Sequence, residues 1–208
     1  MGLNEEYQKL VEEILSCRKC DLWKTRTNAV VGEGPLNAEI MFIGEAPGYN
    51  EDIQGRPFVG AAGKLLTELI TKIIGIGRSS VYITNVVKCR PPENRDPKED
   101  EINACTPYLL RQLEIIKPKI IVTLGRHSTK FIFKLMSKPF YSISRVRGKV
   151  FVGRILSFDT RVIPTYHPAA ALYNPRLRSE IEKDFHLIAL EYKNLSKKVK
   201  IGLEKFFE

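Results

Sequence analysis

Between Ile115 and Phe158 the chain has no aspartate and no glutamate, yet that stretch holds ten lysines and arginines. The whole protein carries a formal net charge of +9, so this acid-free region alone can account for the entire excess. A continuous positive surface attracts polyanions by neutralising phosphates and releasing counterions. A lysine-rich solvated face is the competing reading, and charge alone does not choose. Long apolar runs are also lacking. None approaches the roughly 18–20 residues of a membrane-spanning helix, so no membrane partner is expected. The opening Met1-Gly2-Leu3-Asn4-Glu5-Glu6 is acidic and has no apolar targeting core. The expected location is therefore cytoplasmic, nucleoid-associated if the charge serves DNA. Repeats, low-complexity tracts and linkers are absent, which leaves one domain over residues 1–195 and a short basic tail over 196–208.

What is present alternates between strand and helix. Residues 3–16 have a helical face in Leu3, Leu10, Val11, Ile14 and Leu15. Residues 39–44 form a short apolar run of the kind buried in a parallel sheet. A helix is expected from Ala61 to Ile74 and a second strand over Val81–Thr84. Asp96-Pro97 reads as an N-cap followed by a first-turn proline, opening a helix to Lys117 that Pro118 ends. Residues 119–124 give a third strand, 126–136 a helix, 144–158 a small hairpin or irregular edge, and 161–165 a fourth strand. A last helix runs from Pro175 to Tyr192. Such alternation predicts an α/β domain whose largely parallel sheet is covered on both faces.

The four cysteines are Cys17 and Cys20, spaced C-x2-C, and Cys89 and Cys105, spaced C-x15-C. A C-x2-C pair lets two thiolates grip one metal, and two more complete a tetrahedral set. Buried unrelated thiols and disulfides are the alternatives, and spacing does not separate zinc from iron–sulfur.

Gly44-Glu45-Ala46-Pro47-Gly48 closes the first strand and is followed by Gln54-Gly55-Arg56-Pro57-Phe58-Val59-Gly60. Ligands of open α/β sheets bind beyond strand carboxyl ends, and a glycine-rich loop there brings backbone close to a ligand. The loop is not a phosphate-binding P-loop. Gly63-Lys64 would need glycine at 58 and serine or threonine at 65, where Phe58 and Leu65 stand. Asn85 ends the second strand and His167 follows the fourth. An amide both donates and accepts, so it can read a pyrimidine edge, and a strand-end histidine can act as donor or acid. Each of these is more often a turn or structural residue when taken singly. Their shared position at strand ends makes the combination specific.

Taken in order, these segments resemble the family 4 uracil-DNA glycosylases, a thermostable iron–sulfur type of bacteria and archaea. The matching stretches are Gly44–Gly48 with Gln54–Gly60, Ile83-Thr84-Asn85-Val86-Val87-Lys88-Cys89-Arg90-Pro91-Pro92, Arg145-Val146-Arg147-Gly148-Lys149, and His167-Pro168-Ala169. The resemblance spans about residues 5 to 192. It implies a single three-layer α/β/α domain around a four-stranded parallel sheet. It also implies a [4Fe-4S] cluster on Cys17, Cys20, Cys89 and Cys105, with zinc as the alternative, and a monomer that removes uracil from single- or double-stranded DNA.

Residue by residue, the resemblance makes Phe58 stack on the extruded uracil and Asn85 bond its O4 and N3. His167 would stabilise negative charge at O2, and Glu45 would stabilise the sugar cation or orient water. Ala46 and Gly48 would line the base, and Glu51 would stand against C5 to exclude thymine. Arg147, Lys149, Leu172 and Tyr173 would meet DNA. The chain departs from the family pattern where Ala170-Ala171-Leu172-Tyr173 replaces the common Tyr-Leu-Leu-Arg, and where Tyr49-Asn50-Glu51-Asp52 replaces an acidic run. Other uracil glycosylases place an aspartate where this chain has Ala46. The tail from Ser196 is read as a frayed basic terminus, with recruitment of a sliding clamp as the alternative. A non-catalytic DNA-binding module with a structural metal is the rival from another class. It explains charge and cysteines but not the strand-end residues.

Overall fold

The computed structural model describes residues 2–204, with side chains through Leu195. Helix α1 (Leu3–Leu15) leads through a cysteine-bearing loop to strand β1 (Ile40–Gly44). Helices α2 (Tyr49–Gln54) and α3 (Ala61–Leu69) precede β2 (Tyr82–Asn85), and α4 (Glu99–Ile116) precedes β3 (Ile120–Leu124). After α5 (Arg126–Leu135) and the short α6 (Ile143–Val146) come β4 (Phe151–Ile155) and β5 (Phe158–Thr165), then α7 (Ala169–Tyr173) and α8 (Arg176–Glu204). The strands form one sheet in the order β2-β1-β3-β5-β4.

The four expected parallel strands are there, with β1 between β2 and β3 and β5 beyond β3. A fifth strand is added: residues 151–155 pair antiparallel with β5 as an edge hairpin. Because strand side chains alternate between faces, β1 sends Met41 and Ile43 to one core and Ile40 and Phe42 to the other. The first core packs under α1, α4 and α5, through Leu10, Leu109, Leu113, Ile132 and Phe133. The second packs under α3 and α8, through Leu65, Leu66, Ile181 and Phe185. Each such side chain contributes about 1.5–3 kcal/mol on burial.

Several boundaries differ from expectation. On α1 only Leu10 and Ile14 are buried, while Leu3 and Leu15 are exposed. The helix over 61–74 changes character at Ile70, where the turn widens and Gly75 N–H reaches Ile70 O at 3.1 Å. Helix α4 starts at Glu99 rather than at Pro97. Glu101 accepts the Lys98 N–H at 2.7 Å and so fixes the first turn one step later, while Asp96 bonds Arg126 instead of capping. Helix α8 continues in its backbone past residue 196. Residues 205–208 of the expected tail, and the tail's side chains, lie outside the described residues. Among the described residues no helix is long and apolar enough to cross a membrane.

Candidate active site

The sheet order reverses direction at β1. The chain leaves β1 toward β2 on one side and returns past it to β3 on the other. Crevices at such a switch point, beyond the strand carboxyl ends, are where open α/β sheets bind ligands. A cleft of about 320 Å³ lies there, lined by residues that include Glu45, Ala46, Gly48, Glu51, Phe58, Asn85 and His167. All seven residues expected at the base are thus brought together. Sequence reasoning missed Ala62, Asn94 and Arg95 on the same wall. Arg95 is held by both Glu101 oxygens, at 2.6 and 2.8 Å.

Asn85 is buried at the end of β2, and its Oδ1 has no hydrogen-bond partner. An orphaned buried acceptor costs on the order of 1–3 kcal/mol, which a ligand donor in the cleft would recover. Gly44 makes room for it. A Cβ at that position would stand 2.3 Å from Asn85 Oδ1 and 2.6 Å from the Phe58 ring.

Phe58 faces His167 across 5.5 Å between ring centroids, with 31° between planes. Its backbone is left-handed (φ 51°), a conformation that costs a bulky residue about 1–2 kcal/mol. Its surroundings hold it there. Glu51 Oε1 accepts the N–H groups of Val59 and Gly60 at 2.8 Å each. Arg78, paired with Glu33 at 2.7 Å, donates to Pro57 O at 2.6 Å. Gly63 lets the turn close, since a Cβ there would meet Phe58 O at 1.8 Å. Glu51 is therefore both a cleft wall and a clamp on the loop.

His167 Nδ1 accepts the Ala169 N–H at 3.2 Å. A neutral imidazole so engaged carries its proton on Nε2, which is then a donor. Burial pushes its pKa down to about 4, with Glu51 opposing, so the ring is neutral at pH 7. Glu45 is pushed the other way, up to about 7, first by burial and then by Asp96, with Arg126 opposing.

A second cavity is lined by Cys17, Cys20, Cys89 and Cys105 together with Ile14, Arg26, Lys88 and Tyr108. All four cysteines are thus gathered, and none is in a disulfide. Arg26 Nη1 donates to Cys89 Sγ at 3.0 Å, and the backbone N–H of Lys88 donates to Cys105 Sγ at 3.2 Å. Among the described residues no three cysteine sulfurs come within 4.8 Å of one another. The Lys88 ammonium is fully buried and donates to Thr84 Oγ1, Asn85 O and Gln112 Oε1 at 2.6–2.7 Å.

The expected DNA contacts divide. Leu172 and Tyr173 are exposed on α7, just beyond His167, and Lys149 is exposed. Arg147 is a correction. It bonds both Asp184 oxygens (2.5 and 2.9 Å) and Glu180 Oε2 (2.6 Å), so its charge is neutralised inside the fold. On α5, Arg126, Lys130 and Lys134 are exposed at four-residue spacing, Arg126 being paired with Asp96.

The cleft thus gathers an aromatic ring, an orphaned amide, a buried histidine and a desolvated carboxylate at a sheet switch point. The family profile for the uracil-DNA glycosylase superfamily matches residues 31–190. The chain is 64% identical to a type-4 uracil-DNA glycosylase of Sulfurisphaera tokodaii over 88% of this chain and 84% of the relative. It is 61% identical to that of Saccharolobus solfataricus (86% and 83% covered) and 56% to that of Archaeoglobus fulgidus (88% and 92%). The chain belongs to the uracil-DNA glycosylase superfamily and, within it, to the type-4 uracil-DNA glycosylases.

Proposed function

We propose that this chain extrudes uracil from DNA into the 320 Å³ cleft and hydrolyses its N-glycosidic bond, leaving an abasic site. The observation that carries this reading is the orphaned Asn85 Oδ1, buried beside the Phe58 ring. Phe58 stacks on the base. Asn85 accepts from uracil N3–H through Oδ1 and donates to O4. Cytosine presents an unprotonated N3 and an amino group there, so it meets acceptor with acceptor and donor with donor, a mismatch sites of this kind reject strongly.

As the glycosidic bond breaks, its electron pair stays on uracil. The His167 Nε2–H donates to O2 and stabilises that charge where it develops. Being already neutral, His167 acts as a hydrogen-bond donor rather than as a cationic acid. Glu45 stabilises the sugar cation and orients the water that adds to it. Ala46 and Gly48 line the base, and Glu51, anchored by Val59 and Gly60, stands against C5 and excludes thymine. Leu172 and Tyr173 fill the space that the extruded nucleotide vacates, and Lys149 meets phosphate.

Four thiols gathered on one cavity, none in a disulfide, are the donor set that a [4Fe-4S] cluster takes. N–H donors from Arg26 and Lys88 already point at sulfur, as thiolate ligands require. Cys17, Cys20, Cys89 and Cys105 would hold it. When bound, it supplies crosslinks between the end of α1, the segment after β2, and α4.

The test is incubation of the protein with matched oligonucleotides that contain one U, T or C, followed by alkali. Cleavage at U alone, abolished in His167→Ala, is expected. DNA binding without an abasic site from any base would instead favour a metal-containing binding module.

A further inference from the structure

Among the described residues one trio of carboxylate and imidazole atoms lies within 4.8 Å of one another: those of Glu45, Asp96 and His127. They come from three places in the chain, namely the end of β1, the segment before α4, and the first turn of α5. Only Glu45 lines the cleft. His127 Nε2 is 3.5 Å from Glu45 Oε2 and 3.4 Å from Asp96 Oδ2. It also accepts the Arg126 Nε–H at 2.8 Å. Arg126 in turn bonds Asp96.

Nε2 is therefore served in both of its states. Unprotonated, it accepts from Arg126. Protonated, it has two carboxylates within reach as acceptors. The side chains also form a path outward: Glu45 and His127 are 28% and 24% exposed, and Asp96 is 58% exposed. Around His127 stand Glu45, Asp96, Arg126 and, one turn along α5, Lys130. Burial lowers the pKa of His127 and raises that of Glu45 to about 7.

We infer that His127 is a positioning residue that relays the proton of the attacking water from Glu45 to solvent beside Asp96. The inference rests on the reading of Glu45 as the residue that orients water. Uracil leaves with the electron pair of the glycosidic bond. The water oxygen bonds the sugar carbon, one water O–H bond breaks, and its proton passes to the Glu45 carboxylate. The Glu45 O–H bond then breaks as the proton moves to His127 Nε2, which releases Arg126 and pairs with Asp96. Loss of the proton to solvent restores the start, and the uracil anion takes an equivalent proton from water.

Single-turnover uracil release at saturating enzyme is measured across pH 5–9 for the wild type, His127→Gln, Asp96→Asn and Glu45→Gln, together with DNA affinity and melting temperature. Expected for His127→Gln is a roughly tenfold fall in rate, below the 100-fold of a full general base because the sugar cation is itself reactive. Affinity stays unchanged, the pH profile is altered, and added imidazole partly restores the rate. Asp96→Asn, at an exposed position, falls in the same direction and guards against a folding artefact in the first variant. A wild-type rate and profile in His127→Gln beside a slowed Glu45→Gln would overturn this inference alone. A wild-type rate in Glu45→Gln, or no uracil release by the unaltered protein, would overturn the underlying reading along with it.

Discussion

Replacing Arg147 by methionine separates a buried ion pair from a DNA contact. The guanidinium is 14% exposed and its partner Asp184 1% exposed. Asp184 also accepts from Thr165 Oγ1 at 2.6 Å. Removing one partner of such a pair leaves a buried carboxylate uncompensated, which costs about 3–5 kcal/mol. For a domain of this length that lowers Tm on the order of 10 °C. Desolvation already lifts the Asp184 pKa, and without Arg147 the carboxyl takes up a proton more readily, so the loss shrinks in acid. The assay combines thermal melting with DNA affinity measured against salt. Arg147→Met should melt low with an unchanged slope of log affinity on log salt. Lys149→Met, exposed, should melt normally and flatten that slope by about 0.9. The double variant Arg147→Met/Asp184→Leu should recover much of the lost stability, because no buried charge is left unpaired. An Arg147→Met protein of full stability that loses a unit of salt slope would refute the reasoning and return Arg147 to the DNA surface.

Asn85→Ala should lower uracil release at least 100-fold, the scale of one lost donor to developing charge, while removal of the orphaned acceptor leaves stability equal or slightly higher; kinetics and urea denaturation check both. Cys17→Ala should melt lower and lose visible absorbance from any bound cluster, yet retain uracil release per folded molecule at moderate temperature. His167 has a folded pKa lowered to about 4, so its neutral form contributes stability above the unfolded value near 6.5 that is lost as pH falls through 4. His167→Gln should therefore show a shallower loss of stability between those limits, followed by melting at successive pH values.

The cleft residues Glu45, Asn85 and His167 are legible because each follows an apolar run suited to a buried strand, and parallel strands bring their carboxyl ends together. What the sequence hides is the partner of each charge. Arg147 finds Asp184 at 37 positions' distance, and Asp96 finds Arg126 at 30, separations that carry no periodic signal. The local rule of Asp before Pro fails at Asp96, because Glu101 reaches back to Lys98 instead. The left-handed Phe58 was equally invisible, since its support comes from Glu51, Arg78 and Gly63 across the fold. The antiparallel edge strand was half legible. Residues 151–155 alternate weakly in burial, as suits a strand with one wet side.

Asn85 and Cys89 sit four positions apart, and Val86, Val87 and Lys88 between them are all buried; Lys88 is tied through its ammonium to Asn85 O and through its backbone N–H to Cys105 Sγ. The Asn85 end of β2 and the cysteine cavity thus share one short tether. A residue inserted or deleted here would misregister both at once, so variation in chain length has to be absorbed elsewhere. A designer who wished to replace the cysteines could not simply erase the thiols. A replacement anchor for the end of β2 would be needed first.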